Sequence, residues 1–385
     1  MEHRPRGPAR QALEFSQRAV PGGRRSNEEV AMSKIFVHGL GAVSPAGWGV
    51  PALRAATANG EPLPARPLAR PGWDKLLWVR QVPPPLPKPA FFAHPRLRRA
   101  NLIAQYTVGA AVEAIGADAA GVQSGSVRLG IIACFMTGCV TYSRRFCEET
   151  INDPAMASPL LFPETVFNAP ASHLAAYLSA TGASYTLVGD EGTFLQGLAL
   201  AADWLVRDQA DACVIVGAEE MDWIVADAMR HFQHSAIHGE GAGALYLKRN
   251  ASGGGAELAG VTDSFPFTRN QTRTVAARKM RAQLDAPRTE LSAREAKELL
   301  CLGTQNVPRT DAPEAEVWKD WTGSRLAPKA SLGEAFSASA AWQCVLACDA
   351  LQRVEFSAAN VSVVGTNQQA IGARFVRADS QTAAA

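Results

Sequence analysis

Histidine is missing from the whole second half of this 385-residue chain, since all seven lie at or before His238. Imidazole chemistry, acid–base or metal-ligating, has no residue to use after that point. Cysteine is present without a pairing pattern: seven residues, an odd number, with no Cys-x-x-Cys among them. Cys134 with Cys139, and Cys344 with Cys348, have no histidine at metal-site spacing, and Cys213 stands in an apolar run. Reduced, buried thiols are therefore expected instead of a zinc site or a disulfide framework, which fits a cytoplasmic protein with no metal. Excess charge is lacking too. The net charge of +2 gives no electrostatic case for nucleic acid or an anionic membrane. No apolar run reaches the roughly 18 residues of a membrane span.

What remains, 47% hydrophobic and 19% charged residues, is ordinary globular material with enough chain for a large core. Residues 1–31 are rich in Arg, Gly and Pro and have no apolar signal core. Glu2, Glu14, Glu28 and Glu29 argue against a mitochondrial presequence, so the segment is expected to be a disordered leader or a mis-assigned start, with Met32 as the alternative beginning. Residues 378–385 read as a tail.

Short apolar runs bounded by glycine predict buried strands at 34–41, 127–135, 184–188, 212–216, 256–261, 361–364 and 373–376. Helical patterning predicts helices over 97–116, 172–180, 194–206, 291–300 and 335–351, with Leu102, Ile103, Tyr106, Ala110, Val112 and Ile115 as one apolar stripe. Residues 62–89, rich in proline, read as an ordered surface loop. Ser252-Gly253-Gly254-Gly255 is the best internal boundary, dividing halves at 34–251 and 256–377. Strands alternating with helices indicate an α/β protein, and the similar order of elements suggests an internal duplication without a visible sequence repeat.

Gly239-Glu240-Gly241-Ala242-Gly243 lacks the following Gly-Lys-Ser/Thr of a phosphate cradle and precedes a strand, so a tight turn is the better account. Gly39-Leu40-Gly41 lacks the third glycine of a dinucleotide site. No cofactor is expected.

Read in order, the pieces resemble the β-ketoacyl synthases. Val37-His38-Gly39-Leu40-Gly41-Ala42-Val43-Ser44-Pro45 is similar to their opening strand and loop, and 158–163 with Asn168 and His173 to their interface and pocket segment. Residues 210–219 resemble the strand after the nucleophile helix, Gly239–Gly243 their Gly-Glu-Gly-Ala-Gly segment, and Lys329 with Gly333 and Gly365-Thr366-Asn367 their closing motifs. The likeness covers roughly 34–377 and implies the thiolase-like fold, two similar halves stacked as α-β-α-β-α and working as a dimer.

Carried over position by position, the resemblance fails where the chemistry should be. The nucleophilic cysteine falls on Glu191, the first catalytic histidine on Leu302 and the second on Glu334, while Lys329 is retained. Decarboxylative condensation needs a thiolate to carry the acyl group and imidazoles to stabilise the enolate. A carboxylate at Glu191 suits a helix N-terminus but replaces neither. The resemblance therefore implies a non-condensing, chain-length-factor-like subunit, inactive alone, that pairs with an active ketosynthase in type II polyketide or fatty-acid-like biosynthesis. Segment 146–173 looks most like aryl-polyene-type partners.

In such a heterodimer Leu160, Leu161, Phe162, Phe167 and Met136 would line the tunnel or interface; plain core packing is the alternative for each. Arg96, Arg98, Arg99, Arg144 and Arg145 would dock an acidic acyl carrier protein, or simply be a solvated surface. His173 is expected to satisfy hydrogen bonds at a helix start, and His231, His234 and His238 have no carboxylates at metal spacing. Two other readings stand beside the first: a repurposed acyl-thioester enzyme using Glu191 or Cys301, and a homodimeric acyl-binding scaffold. The product and its chain length are not written in the sequence.

Overall fold

The computed structural model describes residues 34–233, 235–250, 255–286 and 297–378. The leader, His234, Ser252 to Gly254, residues 291–296 of the expected helix and the chain beyond 378 lie outside the described residues.

Ten strands carry the architecture. The first five are β1 (Phe36–Ser44), β2 (Leu129–Phe135), β3 (Ser184–Val188), β4 (Ala212–Glu219) and β5 (Gly241–Lys248). The second five are β6 (Ala256–Val261), β7 (Glu298–Cys301), β8 (Ser324–Leu326), β9 (Ala358–Val364) and β10 (Gln369–Arg377). They hydrogen-bond in the order β8-β7-β9-β10-β6-β1-β5-β4-β2-β3. Counted from its own first strand, each set of five reads 3-2-4-5-1. Directions repeat as well. In both sets the fifth strand is antiparallel to the first and fourth, and the second is parallel to the third and fourth. The sets join where β1 and β6 pair antiparallel, Phe36 opposite Glu257. The duplication absent from the sequence is thus present in the topology.

Helices complete five layers, as the thiolase-like fold requires. α1 (Leu102–Ile115) and α3 (Ala169–Leu178) cover the outer face of the first set, with α2 (Val140–Asn152) beside them. α4 (Thr193–Val206) and α7 (Phe336–Gln352) lie between the sheets, and α5 (Arg273–Asp285) with α6 (Pro308–Val317) covers the second set. Every residue of α7 from Phe336 to Leu351 is buried. Its Ala, Ser and Cys content follows: a helix pressed from both sides has no polar face to spare.

That pressure corrects the expectation for Gly239–Gly243. The segment is not a tight turn; it runs through a short strand (His238–Gly239) into β5. A Cβ at Gly241 would meet the Val43 oxygen at 2.2 Å, and one at Gly243 would lie 2.7 Å from Cβ of Ala341 on α7. The glycines let the strand touch its neighbours backbone to backbone. Residues 298–300, expected in a helix, are strand β7, because a fully buried Leu-Leu-Cys run has no periodicity to separate the two. The helix expected from 97 starts at Leu102, where Asn101 Oδ1 accepts from Ala104 N at 3.1 Å and caps it. Within the proline-rich stretch, Arg66–Leu68 pairs with Leu77–Arg80, which runs parallel to His238–Gly239.

Candidate functional site

Three loops converge at the carboxyl ends of the strands. After β3 the chain turns through Gly189, Asp190 and Glu191 into α4. After β8 a single helical turn, Pro328–Leu332, carries Lys329; Gly333 at φ +88° then delivers Glu334 to the start of α7. Thr366 comes from the β9–β10 connection.

Lys329 Nζ donates to Glu334 Oε2 at 2.6 Å and to Glu191 Oε1 at 3.4 Å. Glu191 also accepts from Thr366 N at 2.8 Å and Thr366 Oγ1 at 2.6 Å, and Glu334 accepts from Phe336 N at 2.8 Å. The three ionisable side chains are at most 3% exposed. The helix dipole expected to favour Glu191 serves its neighbour instead, since Asp190 Oδ1 accepts from Gly192 N at 3.2 Å.

Burial alone would raise the pKa of Glu191, but the Lys329 charge and the Thr366 hydrogen bonds outweigh it and hold the carboxyl below its ordinary range. Glu334 goes the other way: burial pushes it up to about 7 against the pull of Lys329, with Glu191 adding repulsion. Lys329, opposed by burial, is held above its usual value by its two carboxylates. Asp190 rises to about 6 through burial and the adjacent Glu191 charge. One ammonium between two carboxylates leaves the cluster short of positive charge.

The cavity left among these groups is about 10 Å³, no more than the roughly 10–15 Å³ that one water requires. An acyl chain has no room there. Glu314 closes the far side, taking a hydrogen bond from Ser362 and pushed up to about 7 by burial. Leu302 is not part of the cluster: it packs with Met280, Trp318 and Val364 in the outer apolar core. Cys301 is buried and its thiol is pushed up to about 12 by burial, so no thiolate is available at neutral pH.

Two groups at the site were missed by the sequence reading. Thr366 was noted only as part of a closing motif, although it fixes Glu191. His238, which the sequence shows only as a histidine without carboxylates at metal spacing, lies on a strand beside Glu334, where Gly239 N donates to Glu334 O at 2.9 Å. Its ring stacks on Phe336 at 5.6 Å, and burial lowers its pKa to about 4, keeping it neutral. Phe336 itself has φ +44°, a strained value for a bulky side chain at the site's edge.

Of the positions assigned to tunnel or interface, Leu160 and Phe162 are 69% and 58% exposed and Phe167 is also exposed. Leu161 turns inward, and Met136 packs at the edge of a cluster with Val225 and Phe336. β3, at the end of the sheet, pairs on one side only among the described residues and shows exposed Tyr185 and Val188. Arg144 is taken by Glu148 and Asp222, and Arg145 by Glu149, whereas Arg96, Arg98 and Arg99 are exposed. His173, on α3, bonds Glu164 through Nε2 at 2.7 Å, while its Nδ1 is buried without a hydrogen-bond partner. Among the described residues there is no metal-binding cluster and no helix long and apolar enough to cross a membrane.

Sequence comparison finds no family model and no curated protein that matches the chain. Solved structures do match its fold. One is a type II polyketide synthase acyl-carrier protein in complex with its ketosynthase bound to the hexaketide, at TM-score 0.70 and 17% identity. The ishigamide ketosynthase/chain length factor matches at 0.69 and 16%, and a beta-ketoacyl synthase from Burkholderia phymatum STM815 at 0.73 and 16%. Each comparison covers 90% of this chain and 100% of the other. At such identities the shared property is the fold, which these ketosynthases and this chain have in common.

Proposed function

We propose that the chain is a non-condensing, chain-length-factor-like subunit that completes an active ketosynthase in a type II polyketide or fatty-acid-like pathway. The observation that carries this reading is the Glu191–Lys329–Glu334 cluster. It fills with paired charge the place where the resemblance puts a nucleophile and an imidazole, and it leaves about 10 Å³. Pairing is supported by the open edge of β3 and by the exposed Leu160, Phe162 and Phe167, an apolar set that a monomer has no reason to present. Docking of an acyl carrier protein is supported by Arg96, Arg98 and Arg99, a group of exposed arginines suited to an acidic partner. The finer assignment to an aryl-polyene-type pathway rests on segment 146–173 alone.

The repurposed-enzyme reading loses support on both of its candidates. Glu191 is held by Lys329 and Thr366, and Cys301 is a protonated core thiol.

Intact-mass spectrometry of the purified chain after incubation with acyl thioesters tests the proposal, together with co-expression with a cysteine-bearing ketosynthase. No adduct on the single chain and a stable, condensing heterodimer are expected. Condensation by the chain alone overturns it.

A further inference from the structure

We infer that the pocket facing Arg80 is a binding subsite for a monocarboxylate. Arg80 ends the strand Leu77–Arg80 and is only 7% exposed. Its Nε donates to the Leu63 carbonyl at 2.7 Å, and no carboxylate pairs with it among the described residues. A guanidinium does not escape burial by losing its proton, so an unpaired one inside a protein is a costly feature. Other buried cations here are compensated: Lys329 has two carboxylates, and Arg374 has Glu298.

The pocket in front of Arg80 measures about 130 Å³, on the order of ten times what a single water needs. Ser235, Gln305 and Asn306 give it polar walls, and Lys329 forms its floor towards the charge cluster. Gln305 adds an amide to the wall; its Oε1 is buried without a hydrogen-bond partner, and turning the amide end for end presents its N–H2 donor instead, the group a carboxylate needs. Ile237 and Val307 leave an apolar side suited to a short aliphatic stem.

Charge and shape choose the ligand. With Nε occupied, the free edge of the guanidinium is its Nη1–Nη2 pair, whose parallel N–H bonds match two carboxylate oxygens. Lys329 is already engaged by Glu191 and Glu334, so Arg80 is the one unpaired charge among the described lining residues of the pocket. A monocarboxylate balances it one for one. A phosphate dianion would carry an excess negative charge towards Glu191 and Glu334 behind Lys329.

The site needs no partner subunit, so its test stands apart from that of the proposed heterodimer. Melting of the full chain is followed against increasing propionate, with sodium chloride at matched ionic strength and inorganic phosphate as comparison arms. Propionate is expected to raise Tm saturably, by roughly a few degrees when well above its Kd, and chloride and phosphate are not. Arg80→Met, which removes the unpaired charge while keeping the volume, should fold at least as stably and lose the propionate response. An equal response in Arg80→Met, or a phosphate effect as large as that of propionate, overturns the assignment. Saturation-transfer NMR of propionate on the unaltered chain gives a reading independent of any variant: transfer to the methyl and methylene protons supports the site, and its absence at tens of millimolar overturns it.

Discussion

Lys329 and Glu191 meet at 3.4 Å across 138 positions of sequence, both buried beside a cavity of only about 10 Å³. Removing the cation should be severe, because Lys329→Met leaves two buried carboxylates facing each other. A loss of about 3–5 kcal/mol is expected, read as a lower urea midpoint at unchanged m-value. Combining it with Glu191→Gln should return part of the loss, since the double variant strands one fewer charge. Additive losses would mean that the two side chains do not depend on each other.

Restoring a thiol should not restore condensation. Glu191→Cys places sulfur on the right turn, but Glu334 still holds Lys329, and His238 is neutral and packed on Phe336. Turnover of malonyl and acyl thioesters by this variant is expected to stay at background, as followed by carbon dioxide release. Measurable condensation would show that the remaining frame is still competent.

Stability should fall as pH rises from about 5 through 8. Burial raises Glu219 to about 8 and Glu220 to about 7 from an ordinary 4.5, and Glu314 behaves like Glu220. A carboxyl raised in the folded state binds its proton more tightly there than in the unfolded chain. Its contribution is complete below about pH 4.5 and is lost as pH rises through 7 to 8. Glu191, held low, acts in the opposite sense and is lost only in acid. Tm measured at constant ionic strength should therefore be highest at mildly acidic pH and decline between pH 5 and 8.5 (roughly the span of those two shifts). A flat profile across that range would contradict the assignments.

Interface residues should separate assembly from folding. Leu160→Asp and Phe162→Asp act on side chains already in solvent, so Tm of the single chain should move by less than about 0.5 kcal/mol equivalent. Recovery of the heterodimer on size exclusion should drop sharply. Unimpaired assembly of both variants would place the ketosynthase elsewhere.

Much of the frame was legible because buried strands and a helix rich in small residues have plain signatures. The turn at Glu191 was visible for the same reason: Ser184 to Val188 reads as a strand and Phe194 to Val206 as a helix. What failed was long-range or fully buried. Glu298 to Cys301 has no exposed face and hence no period. Thr366, on a loop, and His238, on a short strand, reach the site from 175 residues beyond Glu191 and 96 before Glu334 in sequence. Arg80 has no mark of its own in the proline-rich sequence; its strand buries it without a carboxylate partner among the described residues. The duplication was legible in the similar order of elements in the two halves, because it survives in strand order and not in residue identity.

That repeated order has a consequence for the chain's history as two copies of one unit. Glu191 hangs from the turn after the third strand of the first set, and Lys329 with Glu334 from the turn after the third strand of the second. The halves are therefore complementary in charge at one equivalent position of their shared plan. Neither can be exchanged for a second copy of the other, because the first on its own strands an anion and its duplicate would bring another.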